Sequence, residues 1–219
     1  MPIVRISSKL VYFAHVPKCA GSAVEDYLAQ RFGSLGFLDR AHLRIPQTQR
    51  WTRSSPQHID VKALDLLLPP SFFAAKFALV RHPVYRMARV FSFQRDIEGK
   101  IEAGMDFGDW LDSLTYIRRR KPFHLDNHFR PMSDLIPEDA TIFRLEDGTA
   151  QVVKWLDELA GNCEGAREIE KVNTYEQRLA AKNVKAGPTP RLTMANRRKI
   201  EDFFRADFDR FDYPRTVKR

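Results

Sequence analysis

Cysteine is scarce in this sequence, with only Cys19 and Cys163 among its 219 residues. Two cysteines are too few for the disulfide framework of a small secreted domain, so the sequence excludes that class. A reducing compartment fits this composition better. We therefore expect a cytoplasmic protein.

Long apolar runs are also missing. No stretch approaches the roughly 18 apolar residues that a membrane-spanning helix needs. The N-terminus lacks the basic and long-apolar pattern of a signal peptide, and the Walker A pattern G-x-x-x-x-G-K-[ST] is absent. These absences predict no membrane span and argue against a nucleotide kinase of the P-loop type.

The charge that is present is mainly positive. The chain has 36 lysines and arginines against 28 aspartates and glutamates, a net charge of +8. This balance favours a polyanionic ligand, substrate or surface, although charge that only keeps a protein in solution has the same composition. The length suits one domain with a full core, so we predict a single domain over residues 1–219.

The stretch 9–28 combines patterns that predict an anion-binding turn. An apolar run at 10–16 is typical of a buried strand, a compact turn at 17–22 follows, and apolar residues then recur at helical spacing. A strand, a turn of small residues and a helix direct backbone N–H groups and the helix dipole at one point, as in phosphate and sulfate sites. Lys18 lies inside this turn and can reach the same anion.

A second anion site is predicted after the next apolar run, residues 72–80. Arg81 follows this run directly, and a helix with Pro83 in its first turn then carries Arg86 and Arg89. Ligands of open α/β sheets bind at the carboxyl ends of the strands, where Arg81 falls. Because an arginine binds a terminal phosphate through two parallel hydrogen bonds, these residues suit a phosphate.

Strands and helices alternate along the chain, which predicts an α/β fold with a parallel sheet flanked by helices. The third strand is expected at residues 141–145. Further helices are expected at 58–68, 107–120, 152–159 and after Thr193. Residues 33–57 read as a long basic loop, and residues 164–190 are charged and weakly patterned.

Both anion motifs resemble those of a known family. Residues 15–22, H-V-P-K-C-A-G-S, closely resemble the 5′-phosphosulfate loop H-I-P-K-T-G-G-T-S of sulfotransferases that use 3′-phosphoadenosine 5′-phosphosulfate (PAPS). Residues 80–89, V-R-H-P-V-Y-R-M-A-R, are similar to the family's 3′-phosphate motif V-R-D-P-x-x-R-x-x-S. Cys19 stands in the place of a threonine, and Arg89 stands in the place of the motif serine.

This resemblance implies a P-loop-like sulfotransferase fold, PAPS as the sulfuryl donor and adenosine 3′,5′-bisphosphate (PAP) as the product. It assigns donor binding to Lys18, Cys19, Ala20, Gly21, Ser22, Ala23, Arg81 and Arg89. Weaker similarity covers N-H-F-R-P at 127–131, F-R-L-E-D at 143–147, V-N at 172–173 and the closing helix. The branch indicated is the bacterial and glycan type, similar to heparan 2-O-sulfotransferases.

The resemblance also suggests catalytic residues. Sulfuryl transfer needs stabilised charge on the leaving oxygens and a base for the acceptor proton. Lys18 is placed to stabilise the bridging oxygen. In related heparan-type enzymes the base is a histidine between the two donor motifs, and His58 matches that placement, while His42 also lies between them. We expect His15 to pack beneath the turn.

The acceptor is expected to contact the basic stretches 40–53 and 118–130. Trp51 among arginines suits a sugar face, so a small molecule or a glycan is the expected partner, with anionic substituents as one option. RNA would suit the same residues, but we expect no nucleic-acid partner. His124 and His128 have a zinc-ligand spacing, but nearby prolines argue against a helix there, and no metal is expected.

Three alternatives stay open at this point. A P-loop nucleotide or small-molecule kinase shares the strand-turn-helix architecture but needs G-K-[ST] and an acidic magnesium ligand. A non-catalytic polyanion-binding protein would show steep salt dependence and no donor affinity. A degenerate enzyme, which holds the nucleotide without transferring from it, is the third, because Arg89 replaces the motif serine.

Overall fold

A computed structural model of the chain describes residues 2–216, which form a four-stranded sheet in the order β1-β2-β3-β4. The strands are β1 Ile3–Ile6, β2 Lys9–Ala14, β3 Ala75–Val80 and β4 Thr141–Arg144. Strands β2, β3 and β4 are parallel, whereas β1 runs antiparallel to β2. The predicted α/β fold is confirmed, with a parallel sheet formed by β2, β3 and β4. Strand β1 adds an antiparallel edge, because the two-residue connection between β1 and β2 allows only an antiparallel pair.

Eight α-helices flank the sheet within residues 2–216. They are α1 Gly21–Phe32, α2 Val61–Leu67, α3 Pro83–Ser92, α4 Phe107–Arg120, α5 Ala150–Ala160, α6 Tyr175–Lys182, α7 Met194–Phe203 and α8 Arg205–Arg210. A π-helical turn, Phe93–Ile97, prolongs α3. None of these helices has the length and apolar character needed to cross a bilayer.

Two helices differ from the sequence-based expectation. Helix α2 begins only at Val61, because Asp60 caps it by accepting the Ala63 N–H at 3.2 Å. His58 therefore ends a short 3-10 turn ahead of the helix. Helix α6 was not predicted, since its charged sequence shows little apolar spacing.

The core supports the carboxyl ends of β2 and β3. Phe13 of β2 stacks on Phe77 of β3 at 4.9 Å between ring centroids, and Trp155 of α5 packs on Phe77 at 5.1 Å. Helix α1 buries Val24 and Leu28 in the same hydrophobic cluster. The turns that follow the two strands are thereby held on a rigid base.

Candidate active site

The carboxyl ends of β2 and β3 open into one cleft of about 1400 Å³. Lys18, which follows β2, and Arg81, which follows β3, both line this cleft. The two strands are adjacent and parallel, so their ends meet at one edge of the sheet. Both predicted anion motifs thus face the same cavity.

The turn between β2 and α1 leaves backbone N–H groups unpaired. Lys18 and Ala20 adopt left-handed conformations, with φ of 67° and 62°. The N–H groups of Ala20, Gly21 and Ser22 have no acceptor within residues 2–216. Helix α1 has no acidic residue in its first turn and no capping side chain. The positive end of the helix is therefore free to bind an anion.

A close contact beneath the turn explains the glycine at its centre. A Cβ on Gly21 would lie 2.0 Å from His15 Nε2, so a larger residue would collide with the imidazole. Glu25 fixes the ring from its other side, with Oε1 2.5 Å from His15 Nδ1. Burial lowers the pKa of His15, although Glu25 opposes this effect. A buried imidazole held by Glu25 thus supports the turn.

Cys19 contributes to the turn but does not face the cleft. Its thiol is buried, with Sγ 3.8 Å from Pro17 O, and its N–H donates to Val16 O at 3.3 Å. Burial raises the pKa of the thiol to about 12, so it is unreactive near neutral pH. Of the residues assigned to the 5′-phosphosulfate loop, the cleft is lined by Lys18, Ala20, Gly21, Ser22 and Ala23.

Lys18 is the cation closest to this turn, and its environment disfavours its charge. Burial, together with the charges of Arg178, Arg89 and Arg81, lowers the pKa of Lys18 to about 7. The ammonium lies 3.7 Å from the centroid of the Phe93 ring. The opposite charge of an anion in the cleft would offset the cost of charging this buried group.

Three arginines surround the same end of the cleft without carboxylate partners within residues 2–216. Arg81 and Arg89 were predicted from the sequence, and Arg178 of α6 was missed. The Arg89 guanidinium carbon lies 6.0 Å from the Tyr175 ring centroid, and that of Arg178 lies 5.4 Å from the Phe93 ring centroid. One sequence signal for α6 exists, because Thr174 and Gln177 form a capping box.

Arg86, which matches the second arginine of the 3′-phosphate motif, is buried and does not line the cleft. Its Nε donates to Pro17 O at 3.1 Å, and its Nη2 donates to His128 O at 3.0 Å. Arg86 therefore ties the anion-binding turn to the segment around His128.

His58 lines the cleft and is oriented by a carboxylate that the sequence reasoning missed. Its Nδ1 lies 2.7 Å from Asp126 Oδ2. Ser55 holds the same carboxylate, donating its N–H to Oδ1 at 2.6 Å and its hydroxyl to Oδ2 at 2.7 Å. With Nδ1–H bound to Asp126, the Nε2 of His58 is the nitrogen left to accept a proton.

The backbone that presents Asp126 is strained. Leu125, Asp126 and Asn127 have consecutive φ values of 54°, 53° and 62°, which is uncommon for residues other than glycine. Asn127 holds this arrangement in place by donating its Nδ2 to His58 O at 2.7 Å. Such strain persists only where surrounding contacts fix it, and here the contacts lead to His58.

The electrostatics of the pair favour an ionised Asp126. Burial alone would raise the pKa of the carboxyl, but His58, His128 and the Ser55 N–H together outweigh burial and hold the pKa well below its usual range. His128 lies beside His58, with 5.0 Å between ring centroids. Burial, followed by the charge of His58, lowers the pKa of His128 to about 3, so this ring is neutral.

His58, Asp126 and His128 each offer one ligand atom within 4.8 Å of the others. The structure thus groups His128 with His58 rather than with His124. Within this group, His58 and Asp126 already bind each other through Nδ1 and Oδ2. The surrounding cleft is lined by ten lysines and arginines against three acidic residues, which disfavours a cation.

Further basic side chains line the cleft, and they include part of the predicted acceptor surface. Its side chains include Arg53, Lys100, Arg120, Lys121 and His124. Arg50 also lines the cleft, but it donates to Ile45 O and Leu43 O at 2.7 Å each. Arg40, Arg44 and Trp51, from the same loop, do not line the cleft.

The weaker sequence similarities have mixed roles. Val172 and Asn173 line the cleft. Arg144 instead donates to Phe211 O at 2.7 Å, and Glu146 accepts the His82 N–H at 2.8 Å. The F-R-L-E-D segment therefore fastens the C-terminal region to the sheet edge.

Comparison with known families and proteins gives one match. The model of the family described as the sulfotransferase family matches residues 3–214 of the 219. No curated protein and no solved structure matches the chain. The heparan 2-O-sulfotransferase-like branch is not confirmed by this match and stays a prediction.

Proposed function

This chain belongs to the sulfotransferase family, and we propose that it transfers a sulfuryl group from PAPS to a hydroxyl of a carbohydrate or other small acceptor. The observation that carries the proposal is that Lys18 and Arg81, from two separate motifs, line one cleft. A nucleotide with a phosphosulfate at one end and a phosphate at the other can place one anionic group at each motif.

The residues present fit such a donor. The free N–H groups at the start of α1 and the Lys18 ammonium suit the 5′ end. Arg81 and Arg89 suit the 3′-phosphate, and the charged Arg89 takes the place of a hydroxyl contact. Arg178, which lacks a carboxylate partner within residues 2–216, adds a third guanidinium at this end.

The chemistry divides between Lys18 and His58. When bound, the donor supplies a sulfuryl group whose bond to the phosphate oxygen breaks as the acceptor oxygen forms its bond to sulfur. Lys18 stabilises the charge that develops on the departing phosphate oxygen. His58 takes the acceptor proton at Nε2, and Asp126 stabilises the resulting imidazolium through Nδ1. PAP then leaves as the second product.

We further propose a single sulfotransferase domain over residues 1–219 and a cytoplasmic location. One hydrophobic cluster that extends from Ile3 to Tyr213 supports the first proposal. The free thiols of Cys19 and Cys163 support the second, because a reducing compartment keeps thiols unpaired.

Calorimetry with PAP tests the donor site directly, and labelled PAPS with a panel of sugars and small hydroxyl compounds then tests transfer. We expect PAP to bind, and Arg81→Ala with Arg89→Ala to weaken it by at least about tenfold. Arg119→Ala is the control, since Arg119 is exposed and does not line the cleft. Absence of PAP binding, or turnover of ATP with magnesium, would contradict the proposal.

A further inference from the structure

The loop between α1 and α2 exposes large apolar side chains. Phe37, Leu43 and Trp51 are 49%, 46% and 51% exposed. The rings of Phe37 and Trp51 lie side by side, with 6.2 Å between centroids. Leu43 borders the cleft, whereas Phe37 and Trp51 do not line it. The proposed binding cleft therefore does not explain why the Phe37 and Trp51 rings are exposed.

These side chains stand on an ordered backbone. His42 is buried beneath them, its Nε2 lies 3.0 Å from Thr52 O, and its ring contacts Trp51 at 5.9 Å between centroids. Arg50 fastens the same loop by donating to two of its carbonyl groups. The apolar groups are thus held outward by polar contacts below them.

The same loop carries two exposed arginines, Arg40 and Arg44, without carboxylate partners within residues 2–216. The nearby Asp39 is already engaged, since it accepts the Ala41 N–H at 2.9 Å and lies 3.8 Å from His42 Nδ1. Neither arginine lines the cleft, so the proposed donor and acceptor sites do not use them.

We propose that this loop surface, formed by Phe37, Arg40, Leu43, Arg44 and Trp51, docks on an anionic lipid bilayer. Aromatic and leucine side chains enter the interfacial region, and arginines contact anionic headgroups from above it. A dissolved polyanion would use the arginines only and would leave Phe37 and Leu43 in water, so the apolar component favours the bilayer.

Docking has a consequence for the acceptor, which rests on the proposed function. Leu43 belongs both to the loop surface and to the cleft wall. The mouth of the cleft would then open beside the headgroups. The acceptor class that fits this placement is a hydroxyl borne by a lipid headgroup or a glycolipid.

Vesicle binding by the full chain tests the proposal without donor or turnover. We expect the protein to sediment with phosphatidylcholine vesicles that contain about one third phosphatidylserine, and not with pure phosphatidylcholine. Trp51 is an internal probe, because Trp110 is buried and Trp155 is half-buried. Its emission should shift to shorter wavelength on the anionic vesicles, and Trp51→Phe should abolish the shift.

Paired variants test the apolar and the charged contributions to vesicle binding separately. Phe37→Ala with Trp51→Ala should weaken vesicle binding by about tenfold or more, and Arg40→Gln with Arg44→Gln should weaken it by a similar factor. Leu66→Ala with Leu67→Ala is the matched control, because Leu66 and Leu67 are also exposed but lie outside this loop. Unchanged melting temperatures show that each variant is folded.

Several results would overturn docking. These are no binding to anionic vesicles, equal binding to neutral ones, an equal loss in the Leu66 and Leu67 control, or a Trp51 shift with heparin fragments and not with vesicles. PAP calorimetry on the same variants keeps the two proposals apart. If PAP binds but vesicles do not, docking is wrong and the proposed function stands.

Discussion

Lys18 combines a cationic role with a pKa near neutrality, and this has a measurable consequence. The pKa of the lysine is about 7 because of burial and three neighbouring arginines. A bound anion raises this pKa again. The ammonium is then charged in the complex but mostly neutral in the free protein above pH 7.

We therefore predict proton uptake when PAP binds at about pH 8, where both phosphate groups are already fully ionised. Calorimetry in two buffers with different ionisation enthalpies should show close to one proton bound per PAP, and affinity should fall as the pH rises through 7. Lys18→Arg is the matched control, because a guanidinium stays charged at every such pH. Equal uptake in that variant would show that another group is titrating.

Substitutions of His58 and Asp126 should lower the rate of transfer without weakening donor binding. His58→Ala is expected to lower kcat severely, by about a hundredfold or more, and to leave the Kd for PAP nearly unchanged. Asp126→Asn keeps the shape but removes the charge and favours the wrong tautomer, so it should also lower kcat more than KM. Single-turnover kinetics and PAP calorimetry make the comparison, and an unchanged kcat in His58→Ala would remove that residue from the mechanism.

Residue assignments from sequence succeeded to different degrees for a physical reason. Lys18 and Arg81 follow apolar runs, so their position at a sheet edge is readable from local pattern. Asp126 reaches His58 only because three residues in a row are left-handed, and no local pattern predicts such a strained turn. Arg178 reaches the cleft from a segment with no apolar periodicity.

At the level of elements, the turn before α1 depends on one close approach. Gly21→Ala places a methyl group 2.0 Å from His15 Nε2. The imidazole must move, which disturbs its contact with Glu25. We expect the free energy of unfolding to fall by about 1–3 kcal/mol, measured by urea denaturation.

The control for this substitution is Gly104→Ala. Gly104 has no atom within 4 Å of a built Cβ, so this change should be nearly neutral. PAP affinity should also fall in Gly21→Ala, because the N–H groups of the turn shift with the ring. A Gly21→Ala protein as stable as the Gly104→Ala protein would mean that the turn adapts freely.

Elements with strong apolar runs were predicted well, and those without them were not. Strands β2, β3 and β4 overlap the predicted runs, and α4 has the predicted bounds. Strand β1 has only four residues and depends on pairing with β2, so its pattern alone was too short to recognise. Helix α6 was also missed, because it has no buried apolar face. A capping box and contacts with the π-helical turn stabilise it instead.

At the level of the whole molecule, the positive charge is concentrated in the cleft. Ten lysines and arginines line it against three acidic residues. Low-dielectric walls strengthen this potential, and dissolved salt screens it. Composition indicated a polyanionic partner, but only the fold shows where the charge gathers.

PAP binding should therefore depend on ionic strength. Raising sodium chloride from about 0.05 to about 0.5 M should increase the Kd for PAP by an order of magnitude or more, because the Debye length shortens about threefold. Adenosine, which lacks both phosphates, is the control and should bind weakly with little salt dependence. Equal salt dependence for the two ligands would argue against an electrostatic site.

Arg86 gives the two halves of the site a common support, since one planar group holds Pro17 O and His128 O. Displacement of either backbone would deprive a buried charge of its hydrogen bonds, which is costly. During evolution, the backbone of the anion-binding turn and the backbone around His128 are therefore expected to shift together or to stay in place. Adaptation to new acceptors is expected instead at Arg53, Arg120 and Lys121, which line the cleft but are not held by the Arg86 hydrogen bonds.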